Sequence, residues 1–253
     1  MTVRVHVRWV PVEPGAVDVR AILPLLSEVE RTRFDETADA AAATRFAVGR
    51  AALRMLVAEL LTEKARSRDE SAPAVAPADI LVSATCEQCG GPHGRPTVEA
   101  PSRKGKPVSV SIAHCRTGVA VAASWNGSIG VDVEVADVSA ETLESICTLV
   151  PPASRPAGRR WEPVQHWTRV EAVLKADGRG LLVDPAEVKV EAHDGLVTAD
   201  LAAQYVLAEL RVDPEVRGSV AIEVREGKKA KAPLVGWRRL DLDQLAVAAP
   251  QLS

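Results

Sequence analysis

The sequence predicts an α+β fold built from two pseudo-symmetric α+β halves, and three observations support this prediction. Residues 44–61 and 163–176 have the clearest helical spacing of apolar side chains. Several strand-like segments follow each of these helices. Helices and strands do not alternate regularly enough for a doubly wound sheet. We therefore predict an N-terminal half at 1–125 and a C-terminal half at 126–253, although the two halves share no residue-level repeat.

Each further element follows from a local pattern. The N-terminal segment alternates apolar and polar residues, as a half-buried strand does, and ends at Pro11 and Pro14. A stretch rich in Gly and Pro at 86–96 predicts a turn region. The other predicted strands are 80–84, 108–112, 118–124, 130–135, 188–191, 205–212 and 219–224, and the other predicted helices are 23–33 and 141–149.

The composition indicates which broad class of protein this chain belongs to. The chain has 253 residues, of which 47% are hydrophobic and 26% charged, as in ordinary globular proteins. Its formal net charge of −3 gives no overall field that would favour nucleic acid or an anionic membrane. No segment reaches the ~18 apolar residues of a membrane-spanning helix, and the N-terminus does not resemble a signal peptide. We expect a cytoplasmic monomer whose four cysteines are thiols or metal ligands rather than disulfides.

The segment GVDVE at 130–134 places two carboxylates on one face of a predicted strand. Asp132 and Glu134 are two residues apart, so their side chains point the same way. Neighbouring carboxylates repel each other unless a cation or a proton lies between them. Hard oxygen ligands in this arrangement suit Mg²⁺. The alternative is a solvent-facing edge strand that happens to carry two acids.

Two further motifs carry chemistry. Glu171 and Lys175 are four residues apart in the predicted helix 163–176 and share a face. They form either an ordinary ion pair or a third metal ligand followed by a phosphate-binding lysine. His114 follows a predicted strand, where it could donate a hydrogen bond to a phosphate oxygen. A lone histidine is more often structural, so this role stays an alternative.

A second metal site is suggested by the cysteines. Cys86, Cys89 and His93 have part of the ligand spacing of a zinc site, which needs four ligands when it is closed. Cys115 could supply the fourth ligand in space. The alternative is a tight turn that carries two reduced thiols.

The order of the motifs along the chain resembles one family. The motifs are RFAVG at 45–49 with Arg54, HGRP at 93–96, SIAH at 111–114, GVDVE at 130–134 and WTRVEAVLKADGRGL at 167–181. In this order they strongly resemble the Sfp-type 4′-phosphopantetheinyl transferases. The resemblance covers roughly residues 45–181, and the remainder agrees only in length and general pattern.

The resemblance implies a specific reaction in an active site between the two halves. The phosphopantetheine arm of coenzyme A would move to a serine of an acyl- or peptidyl-carrier protein, with release of adenosine 3′,5′-bisphosphate. Such enzymes often serve polyketide or nonribosomal peptide synthesis. The implied Mg²⁺ ligands are Asp132, Glu134 and Glu171, the implied catalytic residues are Glu171 as base and Lys175, and the implied coenzyme A contacts are Arg45, Arg95, His114 and Lys175.

Several positions depart from the family pattern. Val170 stands where many relatives carry Lys, Ala113 replaces a Ser, and Cys115 stands where Ser is common. The segment 150–156 lacks the further glutamate that relatives usually have. Three other functions therefore stay open: coenzyme A binding without turnover, metal-dependent phosphate hydrolysis, and a zinc-stabilised interaction module.

Overall fold

The computed structural model describes residues 3–12, 19–86, 88–99, 107–150, 161–193 and 196–250. The helices are α1 (Glu28–Glu36), α2 (Ala40–Arg66), α3 (Ala140–Leu149), α4 (Pro163–Asp177) and α5 (Leu242–Val247). The strands are β1 (Arg4–Pro11), β2 (Leu81–Ser83), β3 (Thr97–Glu99), β4 (Ser109–Cys115), β5 (Gly118–Ser124), β6 (Ile129–Val135), β7 (Lys189–His193), β8 (Leu196–Asp200), β9 (Gln204–Leu210), β10 (Val216–Glu223) and β11 (Leu234–Arg239). Short 3₁₀ turns lie at Val19–Leu25, Pro77–Asp79, Gly180–Leu182 and Pro185–Glu187.

Two sheets form the centre of the molecule. The first sheet has the order β11-β1-β5-β4, in which β11 is parallel to β1 and the other pairs are antiparallel. The second sheet has the order β6-β10-β9-β8-β7 and is antiparallel throughout. The strands β2 and β3 form a separate small hairpin. The α+β class is therefore confirmed, whereas the pseudo-symmetry of the two halves stays a prediction.

Three apolar layers hold these elements together. The first lies between α2 and the first sheet and contains Leu53 and Val121. The second lies between the two sheets and contains Trp9 and Ile129. The third lies between α4 and the second sheet and contains Leu174. Alternate residues of β1 and β5 contribute to the first or the second layer, because successive strand side chains point to opposite faces.

Some predicted elements have different bounds in the structure. The predicted helix 23–33 is a 3₁₀ turn followed by α1, because Ser27 starts a new helix with a capping box to Glu30. The helix predicted at 44–61 begins earlier, where Asp39 accepts hydrogen bonds from the amides of Ala41 and Ala42. The strands β3, β8 and β11 and the helix α5 were not predicted.

The end of the chain packs against its beginning. The strand β11 pairs with β1, and Leu240 and Leu245 belong to the apolar layer under α2. The division at 125/126 stays a prediction, although 234–245 contacts elements that precede this boundary. Among the described residues, no helix combines the length and the apolar character needed to cross a bilayer.

Candidate active site on strand β6 and helix α4

The strand β6 and the helix α4 lie so close together that position 130 has no room for a side chain. A Cβ atom on Gly130 would lie 1.9 Å from the carbonyl oxygen of Ala172 and 2.6 Å from the amide nitrogen of Ala176. Asp132 and Glu134 are on the same face of β6 as Gly130, because strand side chains alternate. The glycine that begins GVDVE therefore lets this face of the strand pack directly against α4.

Asp132 is buried at this contact, with 5% of its surface exposed. The Nζ atom of Lys175 donates a hydrogen bond to its Oδ1 atom at 2.6 Å. Its Oδ2 atom is also buried and has no hydrogen-bond partner within the described part of the chain. The alternative of a merely solvated acid is therefore wrong for Asp132, even though β6 is an edge strand. A buried acceptor without a donor is costly, so this oxygen is suited to a cation.

The two glutamates are strongly affected by their surroundings. Burial, together with the neighbouring Asp132 and Glu171, raises the pKa of Glu134 to about 7, while Lys175 opposes the rise. Burial also raises the pKa of Glu171, with Asp132 adding to this effect and Lys175 opposing it. The three carboxylates thus share one electrostatic environment with one lysine. If all three carboxylates were ionised, their negative charge would exceed the single positive charge of Lys175.

His114 and Arg45 reach the same environment from the N-terminal half. The strand β4 lies beside β6, where the amide of Val131 donates a hydrogen bond to the Oγ atom of Ser111 at 3.1 Å. Desolvation by the surrounding protein lowers the pKa of His114, although the residue is solvent-exposed. Lys175 and Arg45 lower this pKa further, whereas a hydrogen bond to its own backbone and the charge of Asp132 raise it. The lowered pKa favours the neutral imidazole, which can donate one ring N–H to an anion.

The three acids have the ligand type that Mg²⁺ prefers, but their oxygen atoms are not gathered as they would be around a bound ion. The ligand atoms of Asp132, Glu134 and Glu171, all of which are described, do not lie within 4.8 Å of one another. Like charges keep apart when no cation lies between them. The set nevertheless offers hard oxygen ligands at a partly buried site, with the Oδ2 atom of Asp132 lacking a donor. The residues therefore fit a magnesium ion in donor type and burial.

Arg95 contacts β6 and α4 at another position. Its guanidinium donates a hydrogen bond to the carbonyl oxygen of Ile129 at 3.4 Å. It also lies against Gly178, where a Cβ atom would be 2.7 Å from Nη1. Burial lowers the pKa of Arg95, and Tyr205 and Asp177 are among the groups that oppose this. Arg95 therefore braces the end of α4, and its predicted contact with coenzyme A stays a prediction.

A cavity of about 380 Å³ lies between α1, α2 and the β2–β3 hairpin. Arg33 and Arg50 lie over the ring of Phe46, with guanidinium carbons 4.4 and 5.3 Å from its centre. Arg50 also pairs with the buried Glu30, which binds Arg54 at 2.7 Å. Arg54 of the arginine-rich motif is thus a structural partner of Glu30. Glu30 was not among the predicted site residues, although the capping pattern from Ser27 to Glu30 could have marked it.

The predicted cysteine cluster is present in part. Cys86, Cys89 and His93 have ligand atoms that all lie within 4.8 Å of one another, so this group could hold a metal ion. Cys115 is not its fourth ligand, because it is buried between the two sheets and its sulfur lies 3.5 Å from the hydroxyl of Thr117. All four cysteines are described, and they are thiols rather than disulfides.

The departures from the family pattern have structural explanations where they are described. Val170 is fully buried in the layer beneath α4, so position 170 serves the core. Ala113 and Cys115 face the layer between the sheets, on the opposite side of β4 from His114. Residues 151–156, which lack the further glutamate, lie outside the described residues.

Comparisons with known proteins identify no relative. No protein-family model matches the chain, and a search of curated proteins found no match. Membership of the transferase family therefore stays a prediction. It rests on the order of the motifs in the sequence.

Proposed function

We propose that this protein transfers the 4′-phosphopantetheine arm of coenzyme A to a serine of an acyl- or peptidyl-carrier protein, with Mg²⁺ as cofactor. The observation that supports this most strongly is the surroundings of Asp132. One of its oxygens accepts a hydrogen bond from Lys175, the other is buried without a donor, and two acids with raised pKa values lie nearby. This combination of oxygen ligands and a lysine suits a metal-bound pyrophosphate.

The positions of the residues are compatible with the roles that the reaction requires. Asp132, Glu134 and Glu171 would hold the magnesium ion, which supplies charge neutralisation and Lewis acidity to the pyrophosphate when it is bound. Lys175 is partly exposed, so its ammonium group can also reach an anionic ligand beside Asp132. It would stabilise the negative charge on the departing phosphate.

The proton of the attacking serine needs an acceptor. The serine oxygen would form a bond to the phosphorus that bears the pantetheine arm, while the bond to the departing adenosine bisphosphate breaks. Glu171 would take the serine proton, directly or through a water molecule.

The remaining phosphate of coenzyme A would bind on the N-terminal side of the site. The charges of Lys175, Arg45 and Asp132 all act on His114, and both His114 and Arg45 can donate to phosphate oxygens. The cavity beside Phe46 lies next to Arg45 along α2 and provides apolar and cationic surface for the nucleotide end. Arg95 would support this region from the hairpin.

A carrier-modification assay tests the proposal. The protein is incubated with coenzyme A, Mg²⁺ and several apo carrier proteins, and the carriers are weighed by mass spectrometry. We expect the carrier to gain one phosphopantetheine group, and we expect Asp132→Ala and Glu171→Ala to abolish the gain without loss of folding. Glu191→Gln removes an exposed carboxylate from β7 and serves as the matched control.

Two results would contradict the proposal. No mass gain with any carrier, from a protein that is folded and loaded with Mg²⁺, excludes the transferase. Release of adenosine bisphosphate without a carrier indicates a phosphohydrolase instead. Near wild-type transfer by Asp132→Ala or Glu171→Ala would show that the magnesium ligands are assigned incorrectly.

A further inference from the structure

The turn between β2 and β3 holds a cluster of metal-ligating side chains that the proposed transferase reaction does not use. Cys86, Cys89 and His93 are the one group of three such residues, among those described, whose ligand atoms all lie within 4.8 Å. The Sγ atom of Cys89 lies 2.9 Å from the Nε2 atom of His93. Cys89 and His93 are exposed, so an ion from solution can reach them.

Backbone hydrogen bonds and a glycine with positive φ define this turn. The amide of Cys86 donates to the carbonyl of Gly91 at 2.8 Å, and the amide of Gly90 donates to the carbonyl of Cys86 at 2.9 Å. Gly90 has a φ of +70°, which favours glycine. The amide of Gly91 donates a hydrogen bond to the Sγ atom of Cys89 at 3.4 Å.

We propose that Cys86, Cys89 and His93 bind one Zn²⁺ ion through two thiolates and one imidazole, with the fourth position of the tetrahedron open to solvent. Sulfur and imidazole ligands select zinc over the hard cations that carboxylates prefer. Tetrahedral coordination at ordinary bond lengths would place the sulfur of Cys89 and the nitrogen of His93 about 3.6 Å apart. The present 2.9 Å is within a small side-chain rotation of that separation, and both side chains are free of core packing.

The ion would fix a turn that supports neighbouring parts of the fold. The amide of Gly94 donates to the carbonyl of Ala84 at 2.6 Å, which closes the base of the turn. The guanidinium of Arg33 donates to the carbonyl of Pro92 at 2.7 Å. Gly90 and Pro92 also line the cavity beside Phe46. A bound zinc ion therefore restrains one wall of this cavity and the anchor of Arg33. Without metal, the thiol of Cys89 and the imidazole of His93 contact each other.

Metal analysis of the whole chain tests this site without any assay of activity. The protein is purified without a histidine tag or a chelator, and its zinc content and its spectrum with Co²⁺ are measured. We expect one zinc per chain and a Co²⁺ spectrum with thiolate charge-transfer and tetrahedral d–d bands. Zinc affinity is measured by competition with a chromogenic chelator. We expect it to fall by about 100-fold or more in each of the variants Cys86→Ser, Cys89→Ser and His93→Gln. Even the loss of a group that only supports a metal ligand lowers metal affinity by about 10–100-fold.

Matched variants elsewhere give the control. Cys147→Ser removes the partly exposed cysteine of α3, and His193→Gln removes an exposed histidine of β7. Both should bind zinc as the wild type does. Cys89 is exposed, so Cys89→Ser keeps the fold and decides the question even if Cys86→Ser unfolds. Substoichiometric zinc without a thiolate band, or equal affinity in Cys89→Ser and Cys147→Ser, would overturn the site and leave the transferase proposal untouched.

Discussion

Replacing Glu134 by glutamine should stabilise the metal-free protein at alkaline pH. The folded protein raises the pKa of Glu134 from 4.5 to about 7, mainly through burial. Between these two values the folded state holds a proton that the unfolded state has released, so stability falls as the pH rises through this window. The full cost is present above about pH 7 and absent below about pH 4.5. Glutamine has a similar shape but cannot ionise, so the variant avoids this loss.

The size of the effect follows from the pKa difference. A rise from 4.5 to about 7 is a difference of about 2.5, which corresponds to at most about 3.4 kcal/mol at 1.36 kcal/mol for each pKa unit. Glu134 is only partly buried, and solvent screens part of this energy. We therefore expect Glu134→Gln to raise the free energy of unfolding by about 1–2 kcal/mol at pH 8 and by much less at pH 5.

The free energies of unfolding of the wild type and of Glu134→Gln are measured by urea denaturation at pH 8 and pH 5, with a chelator present. Glu191→Gln, which removes an exposed carboxylate, should show no comparable gain. Adding Mg²⁺ at pH 8 should stabilise the wild type more than Glu134→Gln, because a ligand that binds only the folded state raises its stability. The electrostatic account of the site is refuted if Glu134→Gln gains nothing at pH 8, or if Glu191→Gln gains as much.

Three further substitutions test the packing and the chemistry. Gly130→Ala should lower the free energy of unfolding, measured by urea denaturation, by about 3 kcal/mol or more, because the new Cβ atom would lie 1.9 Å from a backbone atom. The control is Gly236→Ala, where a Cβ atom has no neighbour within 4 Å. It should stay within about 0.5 kcal/mol of the wild type. Lys175→Ala should lower the rate of carrier modification by about 100-fold or more while the fold measured by circular dichroism is kept. Glu30→Ala should destabilise the protein by about 3–5 kcal/mol, because it leaves the buried Arg50 and Arg54 without their ion-pair partner. The control is Glu28→Ala on the exposed face of α1, which should cost about 1 kcal/mol or less.

Local periodicity was sufficient to predict part of the candidate site. The alternation in GVDVE placed Asp132 and Glu134 on one strand face, and the structure has that strand at Ile129–Val135. The spacing of four placed Glu171 and Lys175 on one face of a helix, which the structure has at Pro163–Asp177. These predictions succeed because strand and helix periods depend on the backbone alone.

Contacts between distant segments could not be predicted in the same way. Lys175 donates its hydrogen bond to Asp132, 43 residues away, whereas the spacing in the sequence suggested a local pair with Glu171. The parallel pairing of β11 with β1 joins the two ends of the chain. The ion pairs of Glu30 likewise depend on how α1 packs on α2. Such contacts depend on tertiary packing, which sequence spacing does not encode.

The proposed site would combine residues from both parts of the chain. The acids and Lys175 belong to β6 and α4, whereas His114 and Arg45 belong to β4 and α2, which lie earlier in the sequence. The two sets meet where an edge strand of each sheet lies beside the other, and the hydrogen bond from Val131 to Ser111 joins these edges. A buried amide that lost this acceptor would be costly. The apolar layer between the sheets therefore sets the position of the cationic groups relative to the carboxylates, so a substitution in that layer can alter the site without touching any of its side chains.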